Sequence, residues 1–178
     1  MMVKLRSLDI KDAHLMLEWM HDPDIIKGFQ KDLMHMTLED AEGFCRAASS
    51  GMEITDGASL HYAVADSETD EYLGTISLKH LDLENKSAEY AVTMRKKAQG
   101  SGAASEATTL LLNKAFNEIG LHKVWLNVLS GNERAIAFYE KMGFVYEGIL
   151  RDDVLRDGMF LEQRRYSILE PEWKKING

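Results

Sequence analysis

The sequence predicts an α/β domain with a mixed, largely antiparallel sheet flanked by helices. Three observations carry this. A β-like run opens the chain and two helical stretches follow it. Three alternating segments joined by polar turns then read as a meander. After them helical and strand patterns take turns to the end: α, β, α, β, β.

Each element has a local reason. "MVKLRSL" alternates apolar and polar side chains and reads as the first strand. Ser7 or Asp9 can cap the next helix, "DIKDAHLMLEWMHD", with Ile10, Ala13, Leu17 and Met20 on its inner face. Asp22-Pro23 breaks that helix, because the residue before proline avoids the helical region. Thr37 and Asp40 form a capping pair for "TLEDAEGFCRAASSG". The meander strands are "LHYAVAD", "EYLGTISLKHL" and "KSAEYAVTM", separated by "SETDE" and "DLENK". A long helix over about 100 to 119 ends at Gly120. "HKVWLNVL" is rich in β-branched and aromatic residues and reads as a strand. Asn132 opens a short helix that Gly143 closes, and "FVYEGILRD" and "MFLEQRRYSIL" are the closing strands.

The 178 residues suit one domain over 1–178, with 45% hydrophobic and 28% charged residues. No apolar run approaches the ~20 residues that span a bilayer, and the N-terminus is no signal peptide, so no membrane association and a cytoplasmic location are expected. A formal net charge of −8 disfavours nucleic acid, which needs a basic patch, and suits a cationic amine better. Cys45 is the single cysteine, in a helical context, and reads as a buried structural thiol. The six histidines lack ligand spacing, and no metal is expected.

The functional signal lies in "RKKAQGSGAASEA", between the third meander strand and the long helix. A helix N-terminus presents unpaired N–H groups and partial positive charge, which suit a phosphate. Gly100 and Gly102 allow close approach to the backbone, and Ala103 and Ala104 extend the small surface. A Walker loop is excluded, since the required lysine and hydroxyl residue are missing. A dinucleotide fingerprint fails at its third glycine, where Ser105 stands. What fits is Gln99-x-x-Gly102-x-Ala104, together with "NERAIAFYEKMGF" further along.

These two segments resemble the GCN5-related N-acetyltransferases, in which the loop binds the pyrophosphate of acetyl-coenzyme A. Asn132, Ala135, Tyr139, Gly143 and Phe144 fall in register with the family's second motif, and the resemblance runs from about Val3 to Leu169. "LEWMHDPDI", "AEYAVTM" and "GILRDDVLRDGMF" are most similar to the group with ribosomal-protein N-terminal, diamine and nucleotide-sugar amine acetyltransferases.

The resemblance implies central parallel strands that splay apart, "YAVTM" and "WLNVL". It implies acetyl-coenzyme A as co-substrate, held by the backbone of Val92 and Met94, by Gln99, Gly100, Ser101, Gly102, Ala103 and Ala104, and by Asn132. Ser101 stands where a lysine is often found. Arg95, Lys96 and Lys97 read either as compensating cations or as a solvated turn.

Acetyl transfer to an amine needs a proton removed, an oxyanion stabilised and a thiolate released. An N–H near Val92 is the oxyanion donor on this reading. Tyr139 is the general acid, because a phenol (pKa about 10) lies only modestly above a thiol (about 8.5). Phe138 reads as the core aromatic beside it. Glu89 is the base or an anchor, or a structural ion pair; alternation puts it opposite Val92 and Met94 unless a bulge intervenes. Trp19, His21, Asp22, Phe29, Asp152, Asp153 and Asp157 are acceptor candidates by position. The expected acceptor is a small-molecule amine or a peptide N-terminus, with a homodimer as the family-based expectation. The alternative is a non-catalytic acyl-coenzyme A-binding module.

Overall fold

A computed structural model describes residues 2–177. Seven strands form one sheet in the order β1-β2-β3-β4-β5-β7-β6. They are β1 (Val3–Ser7), β2 (Leu60–Asp66), β3 (Tyr72–Asp82), β4 (Ser87–Met94), β5 (Lys123–Leu129), β6 (Val145–Arg156) and β7 (Met159–Leu169). All neighbours are antiparallel except β4 and β5. The meander and the two closing strands thus stand as the sequence predicts.

The parallel pair is the feature that matters. β4 and β5 pair over only three positions, Ser87 with Lys123, Ala88 with Val124 and Glu89 with Trp125. β4 continues to Met94 and β5 to Leu129 without further pairing between them. The strands therefore splay, and a wedge opens in the middle of the sheet.

Helices cover both faces. One layer holds α1 (Ala13–Met20) and α3 (Leu38–Ser50), with the short α2 (Pro23–Ile26) after α1. Ala13, Met16, Trp19, Ala41 and Cys45 pack there against Ala63 and Tyr72. Burial pushes the Cys45 thiol up to about 11, as befits an inert core sulfur. The helix entry differs from expectation in detail. Asp9 caps a single 3₁₀ turn, Ile10–Asp12, before α1 begins, and this turn swings Ile10 out to solvent while Met16 and Trp19 take the inner face. Thr37 and Asp40 form the predicted capping box of α3.

The opposite face packs α4 (Ala103–Asn113) and α6 (Glu170–Asn177), with α5 (Glu133–Lys141) beside them. Leu111, Leu112, Phe116 and Trp173 meet Leu78, Tyr90, Val124 and Ile168 in the larger core. α4 starts at Ala103, not 100, because Gly100 and Gly102 both take positive φ (78° and 88°) and cannot belong to it. Beyond Asn113 the chain winds as a wider π-helix to Ile119, and Gly120 at φ 79° ends it. α6 went unread in the sequence.

Candidate active site at the strand splay

The wedge between β4 and β5 opens into a cleft of about 1210 Å³. Its donor side is made of backbone. The Arg95 N–H donates to the Leu73 carbonyl at 2.8 Å, which sets the alternation along β4. Odd positions bond to β3. Tyr90, Val92 and Met94 therefore turn their N–H and C=O groups away from β3, toward the gap where β5 has left. Beyond the Glu89–Trp125 pair, Val92 and the Met94 N–H face the gap with no strand partner among the described residues, at the place where an extended ligand would complete the sheet.

At one end of the gap lies the glycine loop. A β-carbon on Gly100 or Gly102 would meet nothing within 4 Å, so the space beside both is open. Gly100, Gly102, Ala104 and Ser105 line the cleft, with the first turn of α4 behind them. Open space beside two glycines at a helix N-terminus has the chemistry that suits an anion. Ser101 and Ala103 differ from expectation. The Ser101 hydroxyl donates back to the Ala98 carbonyl at 2.7 Å, and Ala103 is fully buried in the core. Both shape the loop from behind and do not line the cleft.

Gln99 lines the cleft, but its side chain is already engaged. Its amide donates to the Met94 carbonyl at 3.2 Å and its oxygen accepts from Arg134 at 2.7 Å. It ties the end of β4 to α5. Arg95 is no solvated cation either. It is buried, donating to Glu18, Glu71 and the Tyr72 carbonyl. Lys97 joins Glu71 at 2.7 Å, and Lys96 lies 3.7 Å from Asp22 and Asp24. Neither of the two readings offered for this turn survives for Arg95, because alternation alone does not reveal a partner 77 residues away.

Asn132 caps α5, its Oδ1 accepting from the Ala135 N–H at 3.3 Å. Two turns on, Tyr139 lines the cleft among aromatic neighbours: Tyr90 and Phe144 each at 5.9 Å and Phe138 at 5.6 Å between ring centroids. Burial pushes its hydroxyl up to about 12. Phe138 is not the core residue expected. It is half-buried on the cleft wall, and Ile136 takes the core position.

Glu89 sits at the apex of the splay, the last position of β4 that pairs with β5. No bulge interrupts β4 between Glu89 and Met94; the register shift falls in the β3–β4 pairing between Lys79 and Asp82. Glu89 therefore lies on the face opposite Tyr90, Val92 and Met94, where it still lines the cleft. It accepts from Lys79 at 3.0 Å, and His80 stands 3.6 Å away.

The acceptor candidates divide. Asp22 and Phe29 line the cleft. Trp19 is buried, donating to the Tyr72 hydroxyl at 3.0 Å and stacking on Phe29 at 5.5 Å. His21 contacts the Met36 carbonyl at 2.8 Å and does not line the cleft. Asp152 and Asp153 belong to a separate shallow depression on β6 and β7, and Asp157 is in the turn between them. Sequence reasoning missed Lys79, Asn127, Gly28 and Lys31, which also line the cleft. Only their three-dimensional convergence brings them there.

A sheet opened at one parallel pair, a glycine cradle before a helix and a tyrosine over the gap define an acyl-coenzyme A transferase site. The family model for the acetyltransferase (GNAT) domain matches residues 3–145, and the chain belongs to that family. It is an N-acyltransferase, and acetyl-coenzyme A is the co-substrate its cleft fits.

Among relatives, a putative ribosomal N-acetyltransferase of Bacillus subtilis is 37% identical over 101 residues, 57% of this chain and 55% of that protein. A spermidine N(1)-acetyltransferase of Vibrio cholerae is 29% identical over 120 residues, 67% and 69% of the two chains. In structure, a spermidine N-acetyltransferase from Vibrio cholerae, solved with CoA and spermine, superposes with a TM-score of 0.82 at 24% identity, over 97% of this chain and 98% of that one. No helix among the described residues is long and apolar enough to cross a membrane.

Proposed function

We propose that the chain acetylates a primary amine by direct attack within the cleft, and that a small polycationic amine is its acceptor. One observation carries the reading. The β4–β5 splay opens at Glu89, and the glycine loop and Tyr139 line the same cleft. The relatives that act on spermidine support the polyamine reading, and the net charge of −8 favours a cation. A protein N-terminus is the second reading, favoured by the 37% identical ribosomal relative.

On this reading the residues divide the work. Gly100, Gly102, Ala104 and the N-terminus of α4 hold the pyrophosphate, and the free edge of β4 at Val92 and Met94 pairs with the pantetheine arm. Bound there, acetyl-coenzyme A supplies an activated thioester carbonyl. The Val92 N–H lies on the unpaired edge and serves as oxyanion donor. Glu89, or a water beside it, takes the proton that the amine loses as the C–N bond forms. The Tyr139 hydroxyl offers its proton to the sulfur as the C–S bond breaks. Burial has made it a weaker acid than an ordinary phenol, so its part is a hydrogen bond that tightens as thiolate charge develops.

The test is free-thiol release from acetyl-coenzyme A over a panel of spermidine, spermine, amino sugars and basic N-terminal peptides. Turnover fastest with the polyamines is the expected result. Turnover confined to peptides selects the second reading. Binding of acetyl-coenzyme A without turnover on any amine returns the chain to a non-catalytic module and ends the proposal.

A further inference from the structure

Residues Lys27–Lys31 form no helix or strand, yet they cross one side of the cleft as a strap. Lys27, Gly28, Phe29, Gln30 and Lys31 all face it. Little local structure holds them: the Lys27, Gly28 and Phe29 N–H groups close turns on Pro23, Ile25 and Ile26. Phe29 stacks on Trp19 of α1, and Lys27 reaches Asp24 of α2; two further anchors come from the far end of the chain. Arg156, the last residue of β6, donates one guanidinium nitrogen to two strap carbonyls, Lys27 at 2.9 Å and Phe29 at 2.8 Å. Gln163 of β7, buried at 1% exposure, accepts from Gln30 at 3.2 Å.

The turn Asp157–Gly158 sets Arg156 in place. Both residues take positive φ (51° and 76°), the geometry of a two-residue hairpin turn, so β6 ends abruptly beside the strap. The strap also reaches the donor side. A β-carbon on Gly28 would come within 2.7 Å of the Asn132 Nδ2. Glycine at this position lets the strap close against the cap of α5. A larger residue would push it off.

We propose that Arg156 is a positioning residue for the amine acceptor: it fastens the Lys27–Lys31 strap over the cleft, with the Gly28–Asn132 contact as the seat of closure. The inference rests on the reading of the cleft as an amine acetyltransferase site. Arg156 does not line the cleft and acts only through the strap. An unfastened strap leaves the acceptor wall mobile, so the ordering cost falls on each amine that binds. The strap meets the donor side at the cap of α5, while β4 and the glycine loop are set by strand register and glycine conformation.

The experiment compares wild type, Arg156→Ala, Arg156→Lys and Gly28→Val in steady-state kinetics with spermidine, or with whichever amine wild type uses best. Hydrogen exchange of the strap amides is measured in the same proteins without ligand. Arg156→Ala should raise the amine KM about tenfold, leave the acetyl-coenzyme A KM within about twofold and speed exchange at 28–31. Arg156→Lys should recover part of both effects, since one ammonium reaches two carbonyls. Gly28→Val should speed the same exchange with Arg156 intact.

Unchanged exchange and unchanged amine KM in Arg156→Ala overturn the proposal. So does an equal rise in both KM values, which marks a general loss of structure. Should wild type turn over no amine, the functional reading fails, and the exchange data still decide whether Arg156 fastens the strap.

Discussion

The donor side of the cleft offers backbone: the free edge of β4 at Val92 and Met94, two glycines at positive φ and the start of α4. The acceptor side offers side chains and an irregular strap, held by Arg156 and Gln163 from 127 and 133 residues away. The difference teaches how one scaffold keeps a cofactor and varies a substrate. Backbone geometry depends on strand register and a few glycines, so it tolerates change elsewhere. A wall built from distant side chains is altered by single substitutions.

The largest expected effect is Tyr139→Phe. Loss of the hydroxyl should lower kcat by about 100-fold with both KM values nearly unchanged. With its pKa raised to about 12, Tyr139 stays protonated in the folded enzyme at every ordinary pH. Its contribution is complete below about pH 11 and is lost only as the pH climbs through 12. A pH–rate profile of wild type should therefore show no alkaline limb due to this residue below pH 11, and a Tyr139→Phe profile of the same shape at lower height checks it.

Gly102→Val tests the donor side. A β-branched residue at φ 88° is strained by about 1–2 kcal/mol, and its side chain enters the cradle. The acetyl-coenzyme A KM should rise about tenfold, with the amine KM little changed and the Tm lowered by about 2–8 °C. A matching rise in the amine KM would collapse the distinction between the two sides.

Glu89→Gln should have a smaller effect, about tenfold in kcat/KM for the amine, because water can also take the proton. The variant leaves Lys79 facing a neutral amide. Pairing it with Lys79→Met separates the two roles. If the double variant restores activity, Glu89 serves only to neutralise Lys79.

The smallest effect belongs to Ser101→Ala. Its hydroxyl bonds the Ala98 carbonyl and turns away from the cleft, so the acetyl-coenzyme A KM should move less than about threefold while the loop loses about 1 kcal/mol. A tenfold change in KM would put Ser101 back among the cofactor contacts.

The donor half was readable because its information is local. Two glycines that need positive φ, a strand before them and a helix after them lie within one short stretch, and the cap at Asn132 announces the next helix. Tyr139 follows from that helix by spacing, though not its neighbour: Ile136 takes the core position expected of Phe138, since both are apolar and only the packing of α5 selects which turns inward. Alternation along β4 placed Glu89 on the correct face, and the unbroken register upholds it. Arg95 escaped, because a basic run reads as surface until Glu18 and Glu71 arrive from α1 and the turn before β3. α6 and the strap escaped as well; one is short, and the other has no periodicity.

By itself, then, the sequence determined the strands, the caps, the glycine loop and the place of Tyr139 in order, since propensity, alternation and glycine conformation act over a few residues. Tertiary structure alone decided how far β4 and β5 separate, which side chains line the cleft, and what holds the strap. Those depend on register between distant strands and on hydrogen bonds such as Arg156 to Lys27 and Phe29, which no local pattern encodes.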